Sequence, residues 1–184
     1  MIPLGYMAKF VVSRPDWLKA GYIDDIYSVS PCISKDFCEW IDSWRHNGFW
    51  FFDSPDIIRE IASSRNVELG NATWFYYEAF EQEFVSDESR WRFFTPEPSF
   101  PLDIHPPKNP VPRGIDIVTY SGGNTPGHSP LSCNHMAEEL AVNRHCLLDH
   151  FDEAKALVDA GCFNMSEPGP YRLVAVHTID AALQ

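Results

Sequence analysis

Histidine and cysteine, the two side chains best suited to nucleophilic or metal chemistry, are concentrated in one part of the chain. Three of the seven histidines and two of the five cysteines fall between Ser121 and Cys146. This part begins with SGGNTPGHSPLSC, which is too rich in Gly, Pro, Ser and Asn to form a regular element. Loops of this kind often carry function on a rigid scaffold. The sequence leaves open whether the Ser121–Cys133 loop is a functional site or a structural one.

Thiol catalysis is one hypothesis for this loop. Cys133 directly precedes a predicted helix, whose amino terminus would favour a thiolate. A cysteine nucleophile also requires a base, and either His128 or His135 could supply it. The chemistry would be that of a cysteine-dependent hydrolase or acyl transferase. The alternative is a small buried cysteine that seals a turn, which is the commoner role of a free cysteine.

Metal binding and serine catalysis are not expected from the spacing of these residues. Cys133, His135, His145 and Cys146 match none of the usual zinc-site spacings. The neighbours His145 and Cys146 would point in different directions on a regular element. The segment Gly127–Leu131 lacks the second glycine of a serine-nucleophile elbow. The sequence therefore predicts no metal and no cofactor.

An acidic, aromatic segment supports a second hypothesis, in which the protein is not an enzyme and binds another protein. Thr73–Val85 alternates as a strand, and Arg90–Phe94 follows as its hairpin partner. Aromatic side chains can anchor a partner while carboxylates steer it. The candidate binding residues are Trp74, Tyr76, Tyr77, Glu78, Glu81, Glu83, Asp87, Glu88 and Trp91. The alternative is that the aromatics fill the core and the acids face water.

Composition limits the classes of partner. The chain has 184 residues and a net charge of −12, from 26 acidic and 14 basic residues. This charge repels nucleic acid and anionic membranes and fits a basic protein partner. Five cysteines without a C-x-x-C motif indicate reduced thiols in the cytoplasm. There is no apolar run of the roughly 18 residues that a membrane helix needs, and the start does not read as a signal peptide. The oligomeric state is not fixed by the sequence.

The order of elements predicts an α+β fold, with helices packed on antiparallel sheet. Residues 1–95 form a helical and aromatic-strand subdomain, and residues 113–184 form a smaller α+β subdomain. Between them, residues 96–112 contain seven prolines and predict a stiff connector. The two subdomains could also share one core.

Individual elements follow from periodicity and capping signals. Helices are predicted over Ser34–Asn47 and Asn134–Leu140, from Pro55 onward, and after Asp149 as a cap. Further strands are predicted over Gly114–Tyr120 and in the C-terminal YRLVAVHTI.

Four strings carry a resemblance that covers nearly the whole chain. They are DIYSVSPCIS (Asp25–Ser34), HNGFWFFDSPDII (His46–Ile58), SPLSCN (Ser129–Asn134) and EPGPYRL (Glu167–Leu173). With them the chain resembles a family of uncharacterised bacterial cytosolic proteins, which implies no catalytic residue. The resemblance implies a cysteine where His128 stands, so it disfavours a thiol pair or a metal function at that position of this chain. In size and charge the chain is also similar to immunity proteins, which neutralise a toxin by occluding it. That analogy makes toxin neutralisation the leading function hypothesis.

Overall fold

One antiparallel sheet of seven strands organises the chain. The computed structural model describes residues 1–39, 45–94, 102–121 and 125–180. The strands are β1 (Ile2–Phe10), β2 (Lys35–Asp36), β3 (Thr73–Val85), β4 (Arg90–Phe93), β5 (Val111–Ser121), β6 (Thr125–Pro126) and β7 (Tyr171–Thr178). Their order is β2-β1-β3-β7-β5-β6, and β4 pairs with β3. The described helices are α1 (Pro55–Arg65), α2 (Pro130–Cys133) and α3 (Phe151–Asp159), with short 3-10 turns at Ser86–Glu88 and Met136–Glu138. The α+β class is confirmed.

The C-terminal strand β7 is central, because it pairs with β3 on one side and with β5 on the other. Its neighbouring residues Leu173 and Val174 are both fully buried but belong to two different hydrophobic clusters. Since successive side chains of a strand point to opposite faces, one cluster covers each face of the sheet. Both clusters contain residues from before and after the predicted connector. The division into two subdomains stays a prediction, with one sheet running through both.

The connector prediction is wrong at its C-terminal end. Val111 and Pro112, its last two residues, already belong to β5 and pair with Thr178 and His177 of β7. Residues 102–110 contain no strand or helix, as the density of prolines indicates. Residues 95–101 lie outside the described part.

The local signals that do not depend on distant contacts are confirmed. β3 and β4 form the predicted hairpin, with Phe84 opposite Trp91. α1 begins at Pro55, and the Ser54 hydroxyl accepts a hydrogen bond from the Ile57 amide, as a capping serine should. No helix among the described residues is long and apolar enough to cross a membrane.

The predicted helix over Ser34–Asn47 is wrong in its described residues. Lys35 and Asp36 instead form β2 and pair with β1, and residues 37–39 and 45–47 contain no helix. The Ser34 hydroxyl caps nothing and donates to the carbonyl oxygen of Ile26 at 2.5 Å. Pairing with a distant strand therefore overrides the local apolar periodicity. The middle of this prediction, residues 40–44, lies outside the described part.

Two further predictions need correction near the C-terminal half of the sheet. The helix predicted over Asn134–Leu140 is replaced by α2 and the 3-10 turn, because His135 between them has a left-handed φ of 62°. α3 has the predicted position, but His150 is its cap residue. Asp149 accepts a hydrogen bond from Asn143 Nδ2 at 3.1 Å instead of capping the helix.

Candidate thiol site

Two cysteines and a histidine converge at the surface, although nearly a hundred residues separate the first from the other two. We call Cys32, His128 and Cys133 the thiol cluster. Their sulfur and ring nitrogen atoms all lie within 4.8 Å of one another. The Cys32 Sγ atom is 3.5 Å from His128 Nδ1. Cys32 is exposed and Cys133 is half-buried. No other group of three potential metal ligands converges among the described residues.

A buried lysine fixes the loop that carries Cys32. Lys9 of β1 has no solvent exposure and pairs with Asp36 Oδ1 at 3.0 Å. Its ammonium donates to three loop carbonyl oxygens, those of Val29 (2.9 Å), Ser30 (3.1 Å) and Ser34 (3.3 Å). A buried ammonium is tolerated only when its hydrogen bonds are satisfied, so the loop over residues 28–34 must wrap around it. We call these residues the lysine-bound loop.

A buried carboxylate joins the lysine-bound loop to a second loop, the one that carries His128 and Cys133. Asp116 of β5 is 1% exposed, and its Oδ2 atom accepts from the Val29 amide at 2.8 Å and from the Ser129 hydroxyl at 2.7 Å. Burial raises the pKa of Asp116 to about 6, while the hydrogen bonds from Val29 and Ser129 oppose that rise. One strand residue thus holds the segment before Cys32 and the segment before Cys133 together.

Serine hydroxyls complete the junction between the two loops. Ser129 Oγ accepts from the Ser28 hydroxyl at 2.8 Å and from the Ser30 amide at 3.3 Å. The Ser30 hydroxyl donates to the carbonyl oxygen of Gly127 at 2.6 Å. Ser30 Oγ also accepts from the Cys32 amide at 3.2 Å and lies 3.9 Å from Cys133 Sγ. The two thiols therefore share one buried hydroxyl network.

The backbone on either side of Ser129 orients the other two members of the cluster. The His128 amide donates to Thr119 Oγ1 at 2.9 Å, and the His128 carbonyl accepts from the Thr119 amide at 2.8 Å. The Cys133 amide donates to the carbonyl oxygen of Ser129 at 2.8 Å, which closes the turn of α2. His128 is thereby tied to β5, and Cys133 is carried back toward it.

The two thiols have opposite proton affinities. A hydrogen bond from Cys133, reinforced by the Ser30 hydroxyl and by the positive charges of His128 and Lys9, lowers the pKa of Cys32 to about 5 against the cost of burial. The bond to Cys32 and its own burial raise the pKa of Cys133 well above the usual range. Cys32 is therefore the more acidic thiol of the pair and Cys133 the one that keeps its proton longer as pH rises.

One cleft is lined by a member of the cluster, and a second cleft is lined by the residue next to Cys32. One, of about 580 Å³, is lined by Cys133, Asn134 and Cys162 among others. The other, of about 310 Å³, is lined by Pro31 and Asp36 on the far side of the lysine-bound loop. The Oδ1 atom of Asn134 is buried without a hydrogen-bond partner at the edge of the first cleft. Cys133 thus lines the first cleft, and Cys32 is itself exposed to solvent.

The structure places only part of the residues proposed for thiol catalysis at the site. Cys133 and His128 belong to the cluster. His135 does not, because its ring packs against Trp17 with a centroid distance of 4.6 Å and its Nδ1 atom faces Glu138 Oε1 at 3.5 Å. Of the two bases considered, His128 is the one beside a thiol.

The alternative ligand set of Cys133, His135, His145 and Cys146 does not converge. The His145 ring stacks on Tyr27, with centroids 4.1 Å apart and planes at 11°. Burial lowers the pKa of His145. Cys146 is buried, and desolvation raises its pKa to about 12. Cys146 is therefore a core residue, and the half-buried His145 packs on Tyr27.

The acidic, aromatic segment is divided between core and surface. Tyr76, Tyr77 and Glu83 are buried. Trp74, Glu78 and Trp91 are half-buried, and Glu81, Asp87 and Glu88 are exposed. The three buried residues cannot contact a partner in this conformation. Partner binding by the other six stays a prediction.

The fold also supplies cations to this segment. Glu83 pairs with Arg172 at 2.9 Å and with Arg92 at 2.8 Å. Further pairs join Glu88 to Arg90 and Glu81 to the Met1 amino group. His177 Nε2 lies 3.5 Å from Glu78 Oε2, but burial lowers the pKa of His177. Three acids of this segment, Glu81, Glu83 and Glu88, therefore have a cationic partner within the chain.

Sequence reasoning missed Cys32, Lys9 and Asp116. A usable signal for Cys32 was the repetition of Ser-Pro next to a cysteine, in Ser30-Pro31-Cys32 and again in Ser129–Cys133. The structure interlocks these two Ser-Pro segments. Comparisons of the chain with family models, with curated proteins and with solved structures find no match.

Proposed function

We propose that the protein carries out thiol–disulfide exchange, with Cys32 as the attacking thiol and Cys133 as the resolving thiol. The observation that supports this most is the pairing of an exposed sulfur with a half-buried sulfur less than 4.8 Å away, beside one imidazole. Exchange requires an accessible thiolate and a second thiol that reaches it afterwards. The cytoplasmic location expected from the cysteine content would keep both thiols reduced between reactions.

The reaction balances without a further reactant. The Cys32 thiolate attacks one sulfur of a substrate disulfide, so a Cys32 mixed disulfide forms, the substrate S–S bond breaks and the first thiolate leaves. The first thiolate takes a proton from the charged His128, and the neutral imidazole then accepts the proton of Cys133 as Cys133 attacks Cys32 Sγ, which breaks the mixed disulfide and releases the second thiolate. That thiolate takes the proton from His128. The substrate is reduced by two electrons and the protein holds a Cys32–Cys133 disulfide.

Acyl transfer fits the site less well. A thiol enzyme of that class needs backbone amides aimed at the developing oxyanion. The amide of Cys32 already donates to Ser30 Oγ, and the amide of Cys133 donates to the Ser129 carbonyl. The exposed member of the pair is Cys32, so it takes the attacking role that the sequence assigned to Cys133.

Glutathione disulfide tests the proposal as a small substrate. With reduced wild-type protein we expect a Cys32–Cys133 disulfide and two released glutathione molecules, resolved by peptide mass spectrometry. Cys133→Ser should stop at glutathione attached to Cys32. Cys32→Ser should form little of either product.

Cys162→Ser is the matched control, since Cys162 is also exposed but is no member of the cluster. It should behave as the wild type does. Glutathione that accumulates on Cys162 in the wild-type protein, with Cys32 and Cys133 left reduced, would contradict the proposal.

We propose a second candidate function, an immunity-type protein that occludes a toxin with its β3–β4 hairpin. The favouring observation is Phe93 on β4, which is 71% exposed and belongs to the same hairpin as the exposed acids Asp87 and Glu88. A basic partner would be anchored by the aromatic group and steered by the carboxylates. The cytoplasm would be the compartment in which it meets the partner.

The test is affinity capture of the tagged protein from cytosol at low and at high salt. A stoichiometric basic protein that elutes at high salt is the expected result. The triple variant of Glu81, Asp87 and Glu88 to lysine should lose it, because the steering charge is reversed. Equal capture by this variant would rule out the hairpin as the binding surface.

A further inference from the structure

We infer that Cys32, His128 and Cys133 form a binding site for one Zn²⁺ ion with an open fourth coordination position. The inference concerns the same three side chains as the exchange reaction but does not depend on that activity. It starts from the donor atoms. Two sulfur atoms and one imidazole nitrogen are the ligands that zinc prefers, and no carboxylate joins the group among the described residues. This set disfavours Mg²⁺ and Ca²⁺.

The distances suit a tetrahedral ion. Zinc binds sulfur at about 2.3 Å and nitrogen at about 2.0–2.1 Å, so tetrahedral ligands are about 3.5–3.8 Å apart. The observed separation of Cys32 Sγ and His128 Nδ1 is 3.5 Å. The other two separations are at most 4.8 Å. Small side-chain rotations complete the site, and Nδ1 is the imidazole atom that faces it.

The surroundings hold the ligands in place. The Ser30 hydroxyl bonds to the Cys32 amide and lies 3.9 Å from Cys133 Sγ. The His128 backbone is tied to Thr119 through both its amide and its carbonyl. Groups that orient metal ligands in this way often change metal affinity 10- to 100-fold when removed. The lysine-bound loop and the second loop are joined before any ion enters.

The cluster supplies three ligands and no fourth among the described residues, and one of the three, Cys32, is exposed to solvent. Three protein ligands with one open position are typical of zinc sites that bind water or a substrate donor. Two thiolates and a neutral imidazole also balance the charge of the ion. Zinc would occupy both sulfur atoms, so the metal-bound protein would be protected from disulfide exchange.

Cobalt substitution tests the site directly. Reduced protein, kept in a phosphine reductant, is titrated with Co²⁺ and then with Zn²⁺. We expect one Co²⁺ per chain, with the strong visible absorption of four-coordinate cobalt and a sulfur-to-metal charge-transfer band, both removed by Zn²⁺. Cys32→Ser, Cys133→Ser and His128→Ala should each weaken binding roughly tenfold or more.

Two controls and one rescue separate ligation from folding. Cys162→Ser and His135→Ala remove a potential ligand outside the cluster and should bind Co²⁺ as the wild type does. His128→Cys supplies another ligand atom and should retain the four-coordinate spectrum, while circular dichroism reports the fold of every variant. No four-coordinate spectrum in the wild type, or equal losses in the control variants, would overturn the inference.

The two proposals fail in different ways. Glutathione disulfide that oxidises Cys32 and Cys133 in a protein that binds no Co²⁺ would overturn the zinc site and leave the exchange function standing. Tight Co²⁺ binding by a protein whose Cys32 does not react with glutathione disulfide would overturn the exchange function and support the zinc site.

Discussion

The thiol cluster and the β3–β4 hairpin differ in how their charged groups are used. At the thiol cluster, two buried charged residues from separate strands position the loops: Lys9 holds the lysine-bound loop, and Asp116 joins it to the loop that contains Ser129. In the hairpin, acids that are neighbours in sequence are mostly paired with cations of the same chain. Buried charged residues therefore position exposed reactive side chains at the thiol cluster but not in the hairpin.

This difference separates an assembled site from a local pattern. The cluster combines Cys32 with Cys133 because β1 and β5 place Lys9 and Asp116 beneath both loops. The hairpin needs no such support, since its strands are adjacent in the chain. We expect mutations beneath the cluster to cost much stability and mutations on the hairpin surface to cost little.

Lys9→Met should have the largest effect. It removes the ammonium from three carbonyl oxygens and leaves the half-buried Asp36 without its cation. Loss of one partner of a buried ion pair costs about 3–5 kcal/mol, and urea unfolding measures it. Lys108→Met is the matched control, because Lys108 is exposed. Equal losses for the two variants would show that Lys9 does not hold the loop.

Glu83→Gln tests the one buried acid of the hairpin. Arg172 Nε donates to Glu83 Oε2 at 2.9 Å, and the Arg172 side chain is 4% exposed. The substitution removes the carboxylate charge that the buried guanidinium faces, so we expect a loss of about 3 kcal/mol in urea unfolding. The exposed Glu81→Gln is the control. A loss under about 0.5 kcal/mol for Glu83→Gln would show that Glu83 contributes no more to stability than an exposed acid does.

Asp116→Asn should change how stability depends on pH. The folded-state pKa of Asp116, about 6, lies above its ordinary value, so its stabilising contribution is complete at low pH and is lost as pH rises through 6. Between pH 4 and pH 7, the free energy of unfolding of the wild type should therefore fall relative to that of the variant by up to about 3 kcal/mol. Urea unfolding at several pH values measures this, with Asp87→Asn as the control for loss of one exposed charge. A constant difference would contradict the buried, charged carboxylate.

Glu88→Gln should have the smallest effect. Glu88 and Arg90 form an ion pair on the exposed turn, where such pairs contribute about 0–1 kcal/mol. We expect a change of less than about 0.5 kcal/mol in the free energy of unfolding. A loss comparable to that of Lys9→Met would remove the contrast between the two regions.

The hairpin and α1 could be predicted because their signals are local. Alternation over Thr73–Val85 and the Ser54-Pro55 start each specify structure through neighbours in the chain. The helix expected over Ser34–Asn47 failed because β1 offers Lys35 and Asp36 a strand partner. Periodicity in one segment contains no information about a partner 25 to 27 residues away.

Only part of the thiol cluster could be predicted from the sequence. Cys133 and His128 stood out because they share one polar loop. Cys32 joins them through Ser30, Ser129 and Asp116, contacts that exist only after β1 and β5 enter the same sheet. Nor does the sequence distinguish a buried Lys9 from the exposed lysines, since burial follows from the wrapping of a loop.

The most direct test of the thiol cluster is a competition among all five cysteines of the wild-type protein. Reduced protein is exposed to less than one equivalent of glutathione disulfide, quenched in acid and mapped by peptide mass spectrometry. We expect Cys32 and Cys133 to be lost together as one cross-linked peptide, while the equally exposed Cys162 stays free. Modification that reaches Cys162 first, or that reaches Cys32 without the link to Cys133, would contradict the account.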